Sequence, residues 1–511
     1  MSTTLSDITK QLSHLKLDDS LLYLNHILNV SRGYSSDPFL EPKLVNEKRP
    51  AVLPHVVHFI AKQLLLNASN LGTRTLDWDD FQRLSQMHIH LEDPISSDPN
   101  WKTGNPDHFF ARALAQQLPA QARNHLQKYG LALGLFRDVG TVNFPEPFDL
   151  KSAVESEIEM PIETFMSMGQ TLLALKAANH NGIGCMGAFT HATLTQAFSQ
   201  GIEFCVPEIW TPFLDRVSCT RDEFRAIADK AVYKSSSGGF EPFSFNPLAL
   251  RPIVNLGEDR YLSVDPELLI ERVTFGLFHD LFAKHKMVFT ERFGFAFEAF
   301  VGQLLCSGVS EDLLWSASKW EDSTTKKKEN RKLCDWIYQG STASVLFECK
   351  SLRPSLRLTT YGDERSLNGL NIRIAKAVTQ LSRHSKGIND GAWSKSGLSP
   401  AADYVGVIVT YRKLYTANDP FCRDHVAEIL AGTDVEPIPY IVLSIEDLDS
   451  VVRLLELGHP LDGLVSKMVS ESPCGPLTLF RRDLEEVSLS LFTLNKAQKF
   501  LDGIVSYSGD G

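Results

Sequence analysis

Three charged residues, Asp335, Glu348 and Lys350, stand in segments that otherwise read as buried strands. Residues 333–337 (LCDWI) and 345–350 (VLFECK) are compact runs rich in β-branched and aromatic side chains, the composition of strands inside a sheet. Residues 338–344 between them carry Gly340, Ser341 and Thr342, which suits a hairpin connection. A buried charge is costly unless it is paired or bound to a metal. Glu348 and Lys350 are two apart, so a strand turns both to one face. Asp335 on the neighbouring strand can reach that face. Two carboxylates and an ammonium would then converge at one spot.

That set suits phosphodiester chemistry. Hard carboxylate oxygens hold Mg²⁺ through part of its octahedron and leave positions for water and a phosphate oxygen. The ion acidifies a bound water and neutralises charge developing on the phosphate. A neighbouring lysine orients the attacking water and adds positive charge in the transition state. The competing reading is a surface hairpin with a cross-strand ion pair, and a D…ExK match by itself separates the two poorly.

Composition narrows the class. The chain has 511 residues, 43% hydrophobic and 22% charged, enough for two or three globular domains. No apolar run approaches the ~18 residues that span a bilayer, so no membrane segment is expected. The first residues, MSTTLSD, have no basic start and no apolar stretch, so no secretory signal is expected. The eight cysteines are scattered and form no CxxC pair, which points to reduced thiols in a cytoplasmic setting. A net charge of −11 rules out a uniformly basic nucleic-acid coat, so any such surface must be local.

Residues 1–150 read as mostly helical, with helical apolar spacing at 21–30, 52–67 and 108–129. Two histidine pairs, His55/His58 and His88/His90, the second followed by Glu92 and Asp93, have spacings that could bind a metal. No Cys/His set completes a site beside them, and both read as structural. Residues 151–235 continue as helix, with a capping box at Thr220 and Glu223. The cluster Gly182, Gly184, Gly187 lacks the Lys-Ser/Thr of a phosphate-binding loop and reads as a turn. Lys234 to Gly239 (KSSSGG) is the clearest linker. A hairpin is expected from 252–255 and 260–264, then helices over 266–282 and 293–305, the second carrying Glu298 among apolar neighbours. A strand is expected at 312–320.

The basic residues are concentrated around the charged strands. Residues 321–332 carry Lys326, Lys327, Lys328, Arg331 and Lys332, a loop suited to gripping a phosphate backbone. After Lys350 come Arg353, Arg357, Arg365, Arg373, Lys376, Arg383 and Lys386, opposed only by Asp363 and Glu364. Residues 368–386 read as a helix that includes Gln380. Residues 404–411 read as a strand buried on both faces, 439–444 as another, 445–457 as a helix and 460–511 as a helical tail. From 286 the order is helix, three strands, helix, strand, then a further strand and helix, which gives a mixed sheet flanked by helices.

That order, with those residues, resembles the PD-(D/E)xK nuclease superfamily, whose restriction-endonuclease-like α/β core runs αβββαβ. Asp335 matches the motif Asp, Glu348-Cys349-Lys350 the (D/E)xK, Glu298 the glutamate of the first core helix, and Gln380 a glutamine found after the motif in resolvase-like members. Cys334 stands where the motif has Pro, a position that supplies no ligand. The resemblance covers about 286–445 and implies that Asp335, Glu348, Glu298 and the Cys349 backbone carbonyl hold Mg²⁺, with Mn²⁺ as a substitute. It further implies that Lys350 positions the attacking water, that Gln380 braces the site, and that the cut leaves a 5′-phosphate. The expected organisation is a mostly helical recognition or regulatory region at 1–235 with a break near 150, then linker, hairpin and helix at 236–285, a nuclease-like domain at 286–460 and a helical tail at 461–511.

The function expected is a metal-dependent DNA endonuclease, on analogy a restriction or anti-phage effector. A homodimer would supply two sites for two strands, and residues 1–235 would receive a partner or trigger. The alternatives are a catalytically silent nucleic-acid-binding or scaffold protein of the same fold, and an RNA nuclease. DNA is favoured because no RNA-binding module and no aromatic stacking platform is visible.

Overall fold

The computed structural model describes residues 3–33, 37, 40–41, 52–91, 117, 124–143, 147–178, 188–199, 206–230, 244–316, 334–355, 358–359, 364–391, 397–471, 476–480, 482–484 and 488–506. The N-terminal region is helical, with α1 (Leu5–Leu12), α2 (Leu17–Ser31), α3 (Pro54–Asn67) and α4 (Trp78–Ile89). Local signals start these helices. Thr4 and Asp7 form a reciprocal capping box, Pro54 stands in the first turn of α3, and Asp77 accepts from the Asp80 N–H at the head of α4. Leu21, Leu24, Leu28, Val57, Ile60, Leu64 and Phe81 pack into their shared core.

The next elements are α5 (His125–Ala132), β1 (Thr141–Asn143), β2 (Pro147–Asp149), α6 (Leu150–Ile158) and α7 (Ile162–Ala178). Of the expected 108–129 helix, 108–116 and 118–123 lie outside the described residues. Then come β3 (Ala188–Thr190), α8 (His191–Ser199), α9 (Pro207–Val217), β4 (Ser218–Thr220) and α10 (Arg221–Lys230). The short strands interrupt a stretch expected to be helical throughout. The capping box forms as expected: the Thr220 N–H donates to Glu223 Oε2 at 2.8 Å and the Glu223 N–H returns to Thr220 Oγ1 at 3.3 Å.

The expected hairpin is β5 (Ile253–Gly257) and β6 (Arg260–Ser263). It is the centre of a four-stranded sheet in the order β3-β6-β5-β4. A two-stranded ribbon is marginal by itself, and β3 and β4 cover its two edges. Elements on both sides of 234–239, a stretch outside the described residues, therefore share one sheet. Val254 and Leu262 face the N-terminal helices, whereas Ile253 joins the larger core formed by α5 to α9 and the C-terminal half.

The helix expected over 266–282 is two helices, α11 (Pro266–Val273) and α12 (Leu277–Gly308). Thr274 Oγ1 donates back to the Ile270 carbonyl at 2.6 Å, a local bond that competes with helix continuation. The Gly276 N–H then turns to Glu271 O at 2.8 Å, and a Cβ on Gly276 would stand 2.4 Å from the Arg272 carbonyl oxygen. The helix expected over 293–305 is the second part of α12. It lies beyond a break at Lys286, where φ is 48° and ψ is −122°.

The C-terminal half continues with β7 (Leu314–Ser316), β8 (Trp336–Gln339), β9 (Ser344–Lys350), α13 (Glu364–Asn389) and β10 (Tyr404–Thr410). Next are α14 (Pro420–Ala431), β11 (Tyr440–Ser444), α15 (Ile445–Glu456), α16 (Leu461–Glu471) and α17 (Leu491–Ser506). The sheet order is β11-β10-β9-β8-β7. β7, β8 and β9 are antiparallel neighbours, and β9, β10 and β11 run parallel. Helix α14 was not expected; it is the crossover that parallel β10 and β11 require. The strand expected over 312–320 begins at Leu314, and 317–320 lie outside the described residues. Among the described residues no helix is long and apolar enough to cross a membrane.

Both faces of this sheet are covered. Val345, Phe347, Val407, Val409, Ile441 and Leu443 pack against the α12 side. Leu346, Ile408 and Val442 pack against α13 and α14 through Ile374, Val378, Leu381, Val426 and Leu430. Each fully buried side chain of this kind contributes about 1.5–3 kcal/mol.

Helix α12 meets the sheet closely at one point. A Cβ added to Gly302 would lie 1.9 Å from Trp336 Cζ2, and Trp336 Nε1 donates to the Glu298 carbonyl at 3.2 Å. Gly302→Ala should therefore displace Trp336 and destabilise the protein by about 1–3 kcal/mol, the usual cost of overpacking, read as a lower midpoint in urea. An unchanged midpoint would show that α12 does not seat on β8 this closely.

Candidate active site

Strand register brings the charged residues together. Trp336 pairs with Phe347, so Asp335, one residue before β8, lies level with Glu348. The strand expected over 333–337 starts at Trp336 instead. Asp335 lies ahead of it because its side chain takes over a backbone partner: the Cys349 N–H donates to Asp335 Oδ2 at 2.6 Å. Odd-numbered Val345 and Phe347 face α12. Even-numbered Leu346 faces α13, and so do Glu348 and Lys350. Lys350 Nζ donates to Glu348 Oε1 and lies 3.4 Å from Gln380 Oε1 on α13.

Glu348 carries the unusual electrostatics. It is 2% exposed. Burial pushes its carboxyl up to about 8, the Asp335 and Glu298 carboxylates push the same way, and Lys350 offsets only part of the rise. Oε2 of Glu348 is buried and has no hydrogen-bond partner. The Cys334 and Cys349 thiols are raised by burial and by these same carboxylates, so neither is a thiolate nucleophile. The site thus gathers more negative charge than Lys350 neutralises.

The donors suit a hard divalent cation. An orphaned carboxylate oxygen at a locus of excess negative charge is what such an ion would satisfy. Asp335, Glu348 and Glu298 are oxygen donors, and a partial set suits an ion that keeps several waters. Among the described residues, however, no three His, Cys, Asp or Glu side chains are already gathered as a metal cage. In this state the Lys350 ammonium sits on one oxygen of Glu348.

The remaining expected residues divide into three groups. Arg373 and Lys376 are exposed on α13. Arg353 is not a free surface cation. Its guanidinium lies 4.5 Å and 4.7 Å over the Phe278 and Phe282 rings and hydrogen-bonds His279 Nδ1 at 2.8 Å, so it braces the chain leaving β9 against α12. Lys326, Lys327, Lys328, Arg331, Lys332 and Arg357 lie outside the described residues. Of the histidine pairs, His58 bonds Asp265 Oδ2 at 2.6 Å, and the His55 ring lies 5.8 Å from His88.

Two supporting residues were missed in the sequence. His279, which holds Arg353, reads there as a lone histidine in a helix. Arg412, just after β10, pairs with Glu271 at 2.7 Å and Glu446 at 3.2 Å and lies 4.3 Å over the Phe275 ring. The position of Arg412, directly after the stretch 404–411 that reads as a strand buried on both faces, was its one available signal.

No family model matches the chain, and no curated protein matches it. Among solved structures, the small subunit of a heterodimeric restriction endonuclease is similar at 17% identity over 41% of this chain and 88% of that one, with a TM-score of 0.17. A TM-score that low carries no weight for fold or activity.

Because the carboxyl of Glu348 is raised, its ionised form costs stability in the metal-free protein. The stability is fully present below the unfolded value and is lost as pH rises from the ordinary carboxylate range toward about 8. Glu348→Gln should therefore be more stable than the parent by at least about 1 kcal/mol at pH 8 and above, with the difference vanishing near pH 4. Thermal unfolding in EDTA across that range reads the effect. A constant difference would show that Glu348 does not titrate as described.

Proposed function

We propose that this chain is a metal-dependent nuclease that hydrolyses phosphodiester bonds in DNA. Its active site comprises Glu298, Asp335, Glu348, Lys350 and Gln380. The observation that carries the reading is the buried Glu348 carboxylate, which has one unpartnered oxygen and two further carboxylates acting on it. Purely structural burial would select a neutral or fully paired group here. The element order α12-β7-β8-β9-α13-β10 supports assignment to the nuclease superfamily that the motif resembles.

In this reading Asp335 and Glu348, aided by Glu298 and the Cys349 carbonyl, would hold one or two Mg²⁺ ions. A bound ion supplies an acidified water and neutralises charge on the phosphate. The protein's own contributions follow from its geometry. Asp335 is oriented by the Cys349 N–H. Lys350 can exchange Glu348 for the phosphate or attacking water while Gln380 keeps it in place. The sheet fixes Glu348 and Lys350 on one face, so the reacting groups do not have to be ordered at the moment of reaction. Cutting both strands of a duplex calls for two such sites, and we assign that role to a homodimer.

The alternative is a nucleic-acid-binding protein without catalysis, favoured by the Lys350–Glu348 pair and the lack of a ready metal cage among the described residues. Calorimetry with Mn²⁺ separates the two, together with incubation of supercoiled plasmid, linear duplex, single-stranded DNA and RNA in Mg²⁺. The parent should bind the ion and cut DNA. Asp335→Ala should lose ion binding. Lys350→Ala should retain it and lose cutting by about 10²-fold or more. Absence of ion binding in the parent would sink the catalytic reading.

A further inference from the structure

One face of α13 continues away from the site and is charged with a single sign. With 3.6 residues per turn, positions 365, 372, 376 and 383 lie roughly along one line. Positions 373 and 380 flank it on one side, and 368, 379 and 386 on the other. Arg365, Ile372, Arg373, Lys376, Arg383 and Lys386 are exposed. No Asp or Glu is found among the α13 residues whose exposure is described. The opposite face, with Leu367, Ile374, Val378 and Leu381, is buried on the sheet.

The cations are not equivalent. Arg383 pairs with Asp434 at 3.5 Å. Among the described residues Arg365, Arg373, Lys376 and Lys386 have no carboxylate partner. In a chain of net charge −11, three unpaired cations preceding Gln380 on one exposed face form a local exception. Gln380 is also the residue that meets Lys350. Lys376 and Arg373 stand about one and two turns before it, ~6 Å and ~10 Å along the axis, and Arg365 ~22 Å.

We infer that the exposed face of α13 is the docking track for duplex DNA, with Lys376, Arg373 and Arg365 holding backbone phosphates on one side of the phosphate presented to Lys350. This deepens the nuclease reading and rests on it for the location of the cut. Charge complementarity selects a polyanion. Helix shape selects among polyanions: a helix edge fits the ~12 Å major groove of B-form DNA, whereas the A-form major groove of duplex RNA is too narrow for side chains. Residues 364–389 contain no Phe, Tyr or Trp, so α13 offers none of the stacking platforms by which single strands are gripped. The grip is one-sided: beyond Gln380, Arg383 is paired with Asp434, and Lys386 lies on the flank of the helix opposite Gln380.

The test is binding, read separately from cutting. Full-length Lys350→Ala protein is titrated in Ca²⁺ buffer against a fluorescent DNA duplex, and the anisotropy is followed over a range of salt. Adding Arg365→Gln, Arg373→Gln and Lys376→Gln should weaken binding by about tenfold or more. It should also lower the slope of log K against log salt by about 2–3, near 0.9 per lost phosphate contact. Arg383→Gln with Lys386→Gln should change binding by only about threefold or less. These side chains are exposed, and matching unfolding midpoints verify that the variants fold. An unchanged slope in the triple variant, an equal loss in the double variant, tighter binding of duplex RNA or single-stranded DNA, or no duplex binding by the parent would each overturn the inference. Ion binding and plasmid cutting decide the nuclease reading independently of these outcomes.

Discussion

A carboxylate held inside a sheet covered on both faces is the constraint on which the rest of the C-terminal half depends. Glu348 cannot reach bulk water, and its neighbours Asp335 and Glu298 add charge of the same sign. Among the described residues, the Lys350 ammonium is what offsets part of this charge. Apolar residues flank it on β9 and pair across it on β10, with Ile408 level with Glu348. The stability given up at this point must be recovered elsewhere, and the aromatic packing along α12 is the visible source. Phe278, Phe293 and Phe297 pack around Tyr411, Phe289 packs on Phe278 and Phe293, and the Tyr411 hydroxyl donates to the Phe275 carbonyl at 3.0 Å.

The two halves of the molecule are joined through α11. Its cap residue Asp265 is fully buried and meets Arg32 and His58 from the N-terminal helices. Burial alone would raise that carboxyl, but these two partners hold it well below the usual carboxylate range. Glu267 faces His125 at 2.5 Å and Lys128 at 3.5 Å. Glu271 faces Lys128 and Arg412. Successive turns of one short helix thus contact the N-terminal helices, α5 and the chain leaving β10. Removing one member of such a buried pair typically costs about 3–5 kcal/mol, because the other charge is left without a partner. The chain leaving β9 is tied to the same region through Arg353 and His279, so the strand that carries Glu348 and Lys350 is braced at its end by α12.

Much of this arrangement is legible in the sequence. The strands around Asp335 and Glu348 announce themselves by β-branched and aromatic composition, and the two-residue period puts Glu348 and Lys350 on one face without further information. The capping box at Thr220 and Glu223 is local chemistry and forms as written. Helix α14 was not expected although Asp419 caps it and Pro420 opens it, because its twelve residues show little apolar periodicity. The break between α11 and α12 also escaped, since it depends on a backbone-to-carbonyl approach at Gly276 that no periodicity reports.

The sequence by itself determined which residues could do chemistry and to which face of a strand each points, because side-chain type and backbone period are local properties. Only the tertiary structure decided how those residues are used. Arg353, one more cation in a basic stretch, becomes a brace because two phenylalanine rings and His279 arrive from a helix about 70 residues earlier. The hairpin at β5 and β6 becomes the middle of a sheet because β3 and β4 need its edges. Glu348 is strained toward its neutral form because burial and two other carboxylates meet there. Burial and long-range pairing are properties of the whole packed chain, and no window of residues contains them.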